Sequence, residues 1–298
     1  MKKINLFLAF ILLFLMSCKS IKKENRVVKG GDYELRIATE QKAILVLFPG
    51  FSENSETIKK EAPFLQNIEN EGVTVLLLDK NKKLWLSNDE KIDFSKSLNS
   101  IFQSNKIDYK NIYVGGFSSG GNVAFLLTNY LLETKNELQP KGVFAIDSPL
   151  DIEKLYKVAK DNIAKKASED AYNEGLFLVD MLEKTLGEPT KSFENYKKVS
   201  PYLASINYSQ NIDFLKNIKT RLYTEPDLEW QKINRNRDYE DLNAAVLEKL
   251  YYSFSDSGVK KIEFIQTKNK GFRADGTRHP HSWSIVDKAE LLKWILAN

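Results

Sequence analysis

Four short runs, "AILVLF" from Ala43, "VTVLLL" from Val73, "NIYVGG" from Asn111 and "GVFAID" from Gly142, are apolar at nearly every position. A strand with one face in water alternates polar and apolar residues, so strands like these must be covered on both faces. Stretches of helical spacing separate them: "SENSETIKKEAPFLQNIENEG", reset at Pro63, then residues around Phe94 to Gln103, then the segment after Ser118. Strand and helix in alternation predict an α/β chain with a mostly parallel central sheet and helices on both faces. "YELRIAT" from Tyr33, "TRLYTEPD" and "KKIEFIQTK" read as further strands, and "YEDLNAAVLEKLYYSF" and "DKAELLKWILA" as late helices. Between about 150 and 217 the strand pattern gives way to helical segments rich in Lys, Glu, Tyr and Leu, an insertion rather than a second fold.

"GFSSG", Gly116 to Gly120, joins the third of those runs to a helix. This is the strand-turn-helix setting of the G-x-S-x-G elbow, in which a serine is held on a sharp bend. Glycines flank such a bend because side chains would clash across it. Ser118 fits the central position; Ser119 does not, because Phe117 would replace the first glycine. A serine needs a base to become a nucleophile, and histidine is suited to the task near neutral pH. The chain has two histidines, His279 and His281, both in "RHPHSWSIVD" after the last strand and before the last helix.

These features together resemble the α/β-hydrolase superfamily over roughly Tyr33 to the C-terminus, with its chain order of serine, acid and histidine. The resemblance implies an α/β-hydrolase fold with a helical cap at about 150–217 and a nucleophile at Ser118. It makes His281 the base by its spacing to the closing helix, with His279 in reserve. It also places the acid after the penultimate strand, at Asp227, with Glu225 beside it and Asp147, after the preceding strand, as the alternative. The oxyanion hole would combine the N–H of Ser119 with that of Phe51, or of Ser52, in "FPGFS", where Pro49 replaces the histidine often found in the family. The implied reaction is hydrolysis of a carboxylic ester through an acyl-enzyme. A serine peptidase, an acyl transferase, or a non-catalytic binding lipoprotein retaining the fold are the alternatives.

The rest of the sequence limits cofactors and partners. With one cysteine and two neighbouring histidines there is no usual zinc-ligand pattern, and no dinucleotide or P-loop glycine motif follows a strand, so no metal or cofactor is expected. The 44 basic and 40 acidic residues, net +4, give no reason to expect a nucleic-acid partner. The cap aromatics, among them Tyr156, Tyr172, Phe177, Phe193, Tyr196, Tyr202 and Tyr208, either line a substrate pocket or, more commonly, hold helices to the core. Lys268, Lys270, Arg273 and Arg278 lie near His281 in sequence, where they would favour an acidic substrate or simply be solvated.

Lys2 and Lys3 precede an apolar run from Leu6 to Met16, short for a membrane span, and "LMSC" ends it at Cys18. The pattern resembles a bacterial lipoprotein signal. It implies a signal peptide over 1–17, lipid attachment at Cys18, a basic tether over 18–31 and a hydrolase domain over 32–298. Export and anchoring to a membrane surface follow, the outer membrane or cell surface being favoured because Lys19 stands where an inner-membrane retention aspartate would.

Overall fold

The apolar runs become the middle of one sheet. The computed structural model describes residues 25–79, 81–166 and 168–297. Its strands are β1 (Arg26–Lys29), β2 (Tyr33–Ile37), β3 (Ala43–Phe48), β4 (Val73–Leu78), β5 (Ile112–Phe117), β6 (Pro140–Ile146), β7 (Lys219–Thr224) and β8 (Ile262–Gln266). They lie in the order β1-β2-β4-β3-β5-β6-β7-β8. The six from β4 to β8 are mutually parallel, while β2 runs antiparallel to β4 and β1 antiparallel to β2.

Because side chains alternate along a strand, the continuous apolar runs split into two cores. Ile44, Val46, Phe48, Leu76, Val114, Val143 and Ala145 face one side. There they meet Leu98 and Phe102 of α2 (Asn88–Ser104), Val123, Phe125 and Leu127 of α3 (Ser119–Glu133), and Leu250 and Phe254 of α8 (Asn243–Asp256). Leu45, Leu47, Val75, Leu77, Tyr113, Phe144 and Ile146 face the other side, against Ile58 of α1 (Ser55–Glu61) and Leu291, Trp294 and Ile295 of α9 (Lys288–Leu296). Each fully buried Val, Leu, Ile or Phe contributes about 1.5–3 kcal/mol relative to exposure, so both helical layers are needed to hold the sheet.

Strand order reverses at β3, whose neighbours β4 and β5 lie on opposite sides of it. In an open α/β sheet, ligands bind beyond the carboxyl ends of the strands at such a switch point. The helices α4 (Ile152–Lys165), α5 (Glu169–Leu186) and α6 (Pro189–Val199) fill the inserted region. They carry a small core of their own from Ile152, Tyr156, Leu182, Leu186 and Tyr196, closed by Leu84. Tyr156 and Tyr196 are buried here, with their hydroxyls on Glu183 (2.6 Å) and the Gly187 carbonyl (2.8 Å), so they build the cap. Phe177 is half exposed and packs edge-on against Phe51, 5.6 Å between ring centroids.

Two elements depart from the sequence reading. Residues 26–29, expected as tether, form β1, which folds back on β2 through Gly30 and Gly31. As an edge strand with Val27 exposed and Arg and Lys at its ends, it lacks the apolar signature of the inner strands. A short helix, α7 (Leu228–Arg235), follows β7 where no helix was expected, and it is mostly exposed. The export signal, Cys18 and the start of the tether lie outside the described residues, and among the described residues no helix is long and apolar enough to cross a membrane.

Candidate active site

Ser118 is the first residue after β5 and the last before α3, and the bend forces it to φ 52°, ψ −127°. A side chain in that region costs of order 1–3 kcal/mol and persists only where the surroundings impose it. The Ser118 N–H donates to the Ile146 carbonyl (2.9 Å) and its own carbonyl accepts from the Gly121 N–H (3.0 Å). The glycines act by leaving space. A Cβ on Gly116 would stand 2.2 Å from the Gly120 carbonyl, and one on Gly120 would stand 2.4 Å from the carbonyl oxygens of Phe48 and Pro49. Ser118 therefore sits at the N-terminus of α3, whose unpaired first-turn N–H groups favour negative charge.

His281 reaches this bend from the loop between β8 and α9. Its ring lies 4.4 Å, between centroids, from Phe117, the residue before the serine. Its Nδ1 is 2.6 Å from Oδ2 of Asp147. That carboxylate is fixed on its other side by the Thr224 hydroxyl, which donates to Oδ1 at 2.9 Å. Its backbone is pinned as well: the Asp147 N–H donates to the Tyr223 carbonyl (2.8 Å) and the Asn243 amide donates to the Asp147 carbonyl (2.8 Å). A carboxylate on Nδ1 holds the proton there and leaves Nε2 as the acceptor. Ser118, Asp147 and His281 line one cleft, of about 130 Å³, between the sheet and the cap.

The acid beside the histidine is thus Asp147, and not the Asp227 expected from the sequence. Asp227 caps α7, accepting from the Trp230 N–H (3.2 Å), and its other oxygen is taken by Arg278. The buried Glu225 accepts from Arg278 (2.5 Å), the Thr267 hydroxyl (2.8 Å) and the N–H groups of Lys270 (2.9 Å) and Gly271 (3.1 Å). The two acids after β7 therefore tie down the loop that carries the histidines. Arg278 is consumed in doing so, and Lys268, Lys270 and Arg273 do not line the cleft.

The turn after β3 is equally constrained. The Ser52 N–H donates to the Asn81 carbonyl (2.6 Å), which leaves the Phe51 N–H without an intramolecular acceptor among the described residues. Two side chains that the sequence reading did not single out set this turn. The Asn81 amide donates to the Pro49 carbonyl (2.9 Å) and to the Ser119 hydroxyl (3.0 Å), joining the turn to the start of α3. Glu53 accepts from the Gly50 N–H (2.8 Å) and the Trp283 indole (3.1 Å). Their only signal in the sequence is a polar residue just past the carboxyl end of an inner strand. Among the described residues no three His, Cys, Asp or Glu side chains converge as a metal site.

His279 is placed differently from His281. Its ring packs against Trp230, 5.0 Å between centroids, and its Nδ1 bonds the His281 carbonyl (2.9 Å). Burial, then the nearby Arg273 charge, push its pKa down from 6.5 to about 4. The unfolded chain thus binds this proton near pH 6.5 while the folded chain refuses it until about pH 4, so stability is present above that window and declines as pH falls through it. Urea unfolding at pH 7, 5.5 and 4.5 checks this: His279→Asn will show a shallower acid-side decline than the wild type, and parallel declines would refute the assignment.

No protein-family model matches the sequence, and a search among curated proteins finds no match. Solved structures do resemble it. Carboxyl esterase 2 from Tuber melanosporum aligns with a TM-score of 0.57 at 14% identity, covering 91% of this chain and 84% of that one. The Pyrococcus furiosus esterase aligns at 0.53 and 16% identity, covering 91% and 90%. The Pyrococcus horikoshii acylaminoacyl peptidase aligns at 0.51 and 16% identity, covering 87% of this chain and 39% of that one. With its parallel sheet, its serine elbow after β5 and its helical cap, the chain has the α/β-hydrolase fold.

Proposed function

We propose that the protein is a serine hydrolase acting on carboxylic esters, with Ser118 as nucleophile, His281 as base and Asp147 as the acid that orients it. The observation that carries this reading is the 2.6 Å contact of Asp147 with His281 beside a serine held at φ 52°. Ser118 attacks the ester carbonyl as His281 Nε2 takes its proton, and Asp147 steadies the imidazolium that forms. The carbonyl oxygen becomes an oxyanion, for which the N–H groups of Ser119 and Phe51, both without an intramolecular acceptor among the described residues, serve as donors, aided by the α3 N-terminus. His281 then returns the proton to the departing alcohol, and water, deprotonated in the same way, releases the acid. The esterase neighbours support this reading.

Hydrolysis of 4-nitrophenyl butyrate by the full-length chain in detergent tests it. Ser118→Ala abolishes turnover above background, and Asp147→Asn lowers kcat by about 10³–10⁴, the range for a triad acid that can no longer hold the imidazole tautomer. Asp227→Asn changes kcat by less than about tenfold, since its partners are Arg278 and a helix end. A large loss in Asp227→Asn with a small one in Asp147→Asn would reverse the assignment. The acylaminoacyl peptidase neighbour favours a second reading, a peptidase using the same groups, and faster cleavage of peptide 4-nitroanilides than of esters would select it.

We also propose that Cys18 carries a lipid anchor, on the strength of the apolar run and the "LMSC" that ends it. Metabolic labelling with a palmitate analogue in a bacterial host will tag the wild type and not Cys18→Ala; equal tagging would exclude the anchor.

A further inference from the structure

One wall of the cleft is made by α7 and the residues just after it, and it holds more positive charge than its surroundings satisfy. Arg235 and Arg237 both line the cleft, with side chains about four-fifths buried, and both point at a single oxygen of Glu174, at 3.4 and 3.6 Å. Charge-assisted pairs normally close to about 2.7–2.9 Å. Among the described residues, the one other side chain that Arg237 bonds is Asn162, whose carbonyl oxygen accepts at 3.4 Å. Burial works against the Arg237 charge, yet a guanidinium stays protonated at neutral pH, so two half-satisfied cations remain in a covered site.

Asp147 and Asp241 lie near enough to favour the Arg237 charge, but among the described residues no carboxylate of the cleft other than Glu174 pairs with either arginine within 4.0 Å, and each has a partner of its own. Asp147 holds His281, Asp151 caps α4 and accepts from the Ala204 N–H (2.8 Å), Glu225 holds Arg278, and Asp241 accepts from the Asp238 N–H (3.1 Å). Lys154 also lines the cleft and has no ion pair within 4.0 Å among the described residues. A second observation is independent of charge. Gln231 is more than nine-tenths buried and lines the same cleft, and among the described residues its Oε1 has no hydrogen-bond partner. Half a turn of that amide puts its NH₂ in the same place as a donor. Two guanidinium groups short of acceptors, and an amide free to turn its NH₂ to the cleft, line a space that also contains Ser118 and His281.

We infer that Arg235 and Arg237, with Gln231, hold a carboxylate of the substrate, so that the preferred esters are anionic, such as half-esters of short dicarboxylic acids. The inference rests on the serine-hydrolase reading. It differs from the acidic preference expected of the 268–278 loop, because the cations come from the end of α7.

The test has two arms, both with the full-length protein in detergent. In the first, kcat/KM is measured for monomethyl succinate, glutarate and adipate and for the neutral methyl butyrate and hexanoate. The wild type favours at least one half-ester by about tenfold or more, and Arg237→Gln and Arg235→Gln each lower that anionic-to-neutral ratio by about tenfold, with Arg237→Lys restoring part of it. Equal or better use of neutral esters by the wild type overturns the inference and leaves the hydrolase reading intact. In the second arm, calorimetry follows succinate, glutarate and adipate binding to Ser118→Ala, which needs no turnover. Binding that Arg237→Gln removes supports the site even if no ester is hydrolysed, and absence of binding by all three overturns it.

Discussion

The site depends on the level pairing of β5, β6 and β7. Phe117 pairs with Ile146, and Ile146 with Tyr223, so the carboxyl ends of three parallel strands lie side by side. Neighbouring strands are about 4.8 Å apart, so the residue leaving β6 stands one strand from Ser118 and the residues leaving β7 stand two. Asp147 takes the near place and meets the imidazole; Glu225 and Asp227 take the far place and anchor the histidine loop through Arg278. The same register pins Ser118, whose N–H donates to the carbonyl of Ile146, the last residue of β6. Backbone pairing thus fixes Asp147 and Ser118 together, and the cap only has to cover them.

Much of this was legible in the residues because the physics that makes the fold also leaves a pattern. Strands buried on both faces cannot hide in "AILVLF" or "VTVLLL", and the elbow glycines are required by contacts of 2.2 to 2.4 Å that no other residue tolerates. The acid was less legible. Chain order allowed Asp147 or Asp227, and what separates them is strand register and the partner of each carboxylate, neither of which a linear motif carries. Asn81 and Glu53 were invisible for a related reason: each acts through hydrogen bonds to segments 30 to 230 residues away. β1 and α7 were missed because exposed, charged elements do not need the apolar periodicity that announces a buried one.

The charges around the cleft follow one division of work. Arg278 lies near the histidines in sequence, but its carboxylate partners hold it to the loop, so it stabilises geometry rather than binding anything. Arg235 and Arg237, on the far side of α7 in sequence, share one half-exposed glutamate and keep hydrogen-bonding capacity to spare. His279 is kept neutral between Trp230 and the His281 backbone, a rigid support within the loop that bears His281. In the proposed reaction, a neutral buttress beside His281 avoids a second positive charge where the imidazolium would form.

The central claim is that Ser118 is activated by His281. Labelling the full-length chain with a fluorophosphonate, followed by peptide mass mapping, tests it most directly. The account predicts a single adduct on Ser118 that is lost when His281 is replaced by alanine and retained when His279 is replaced by asparagine. An adduct on Ser119, labelling indifferent to His281, or no labelling of the folded protein would contradict it.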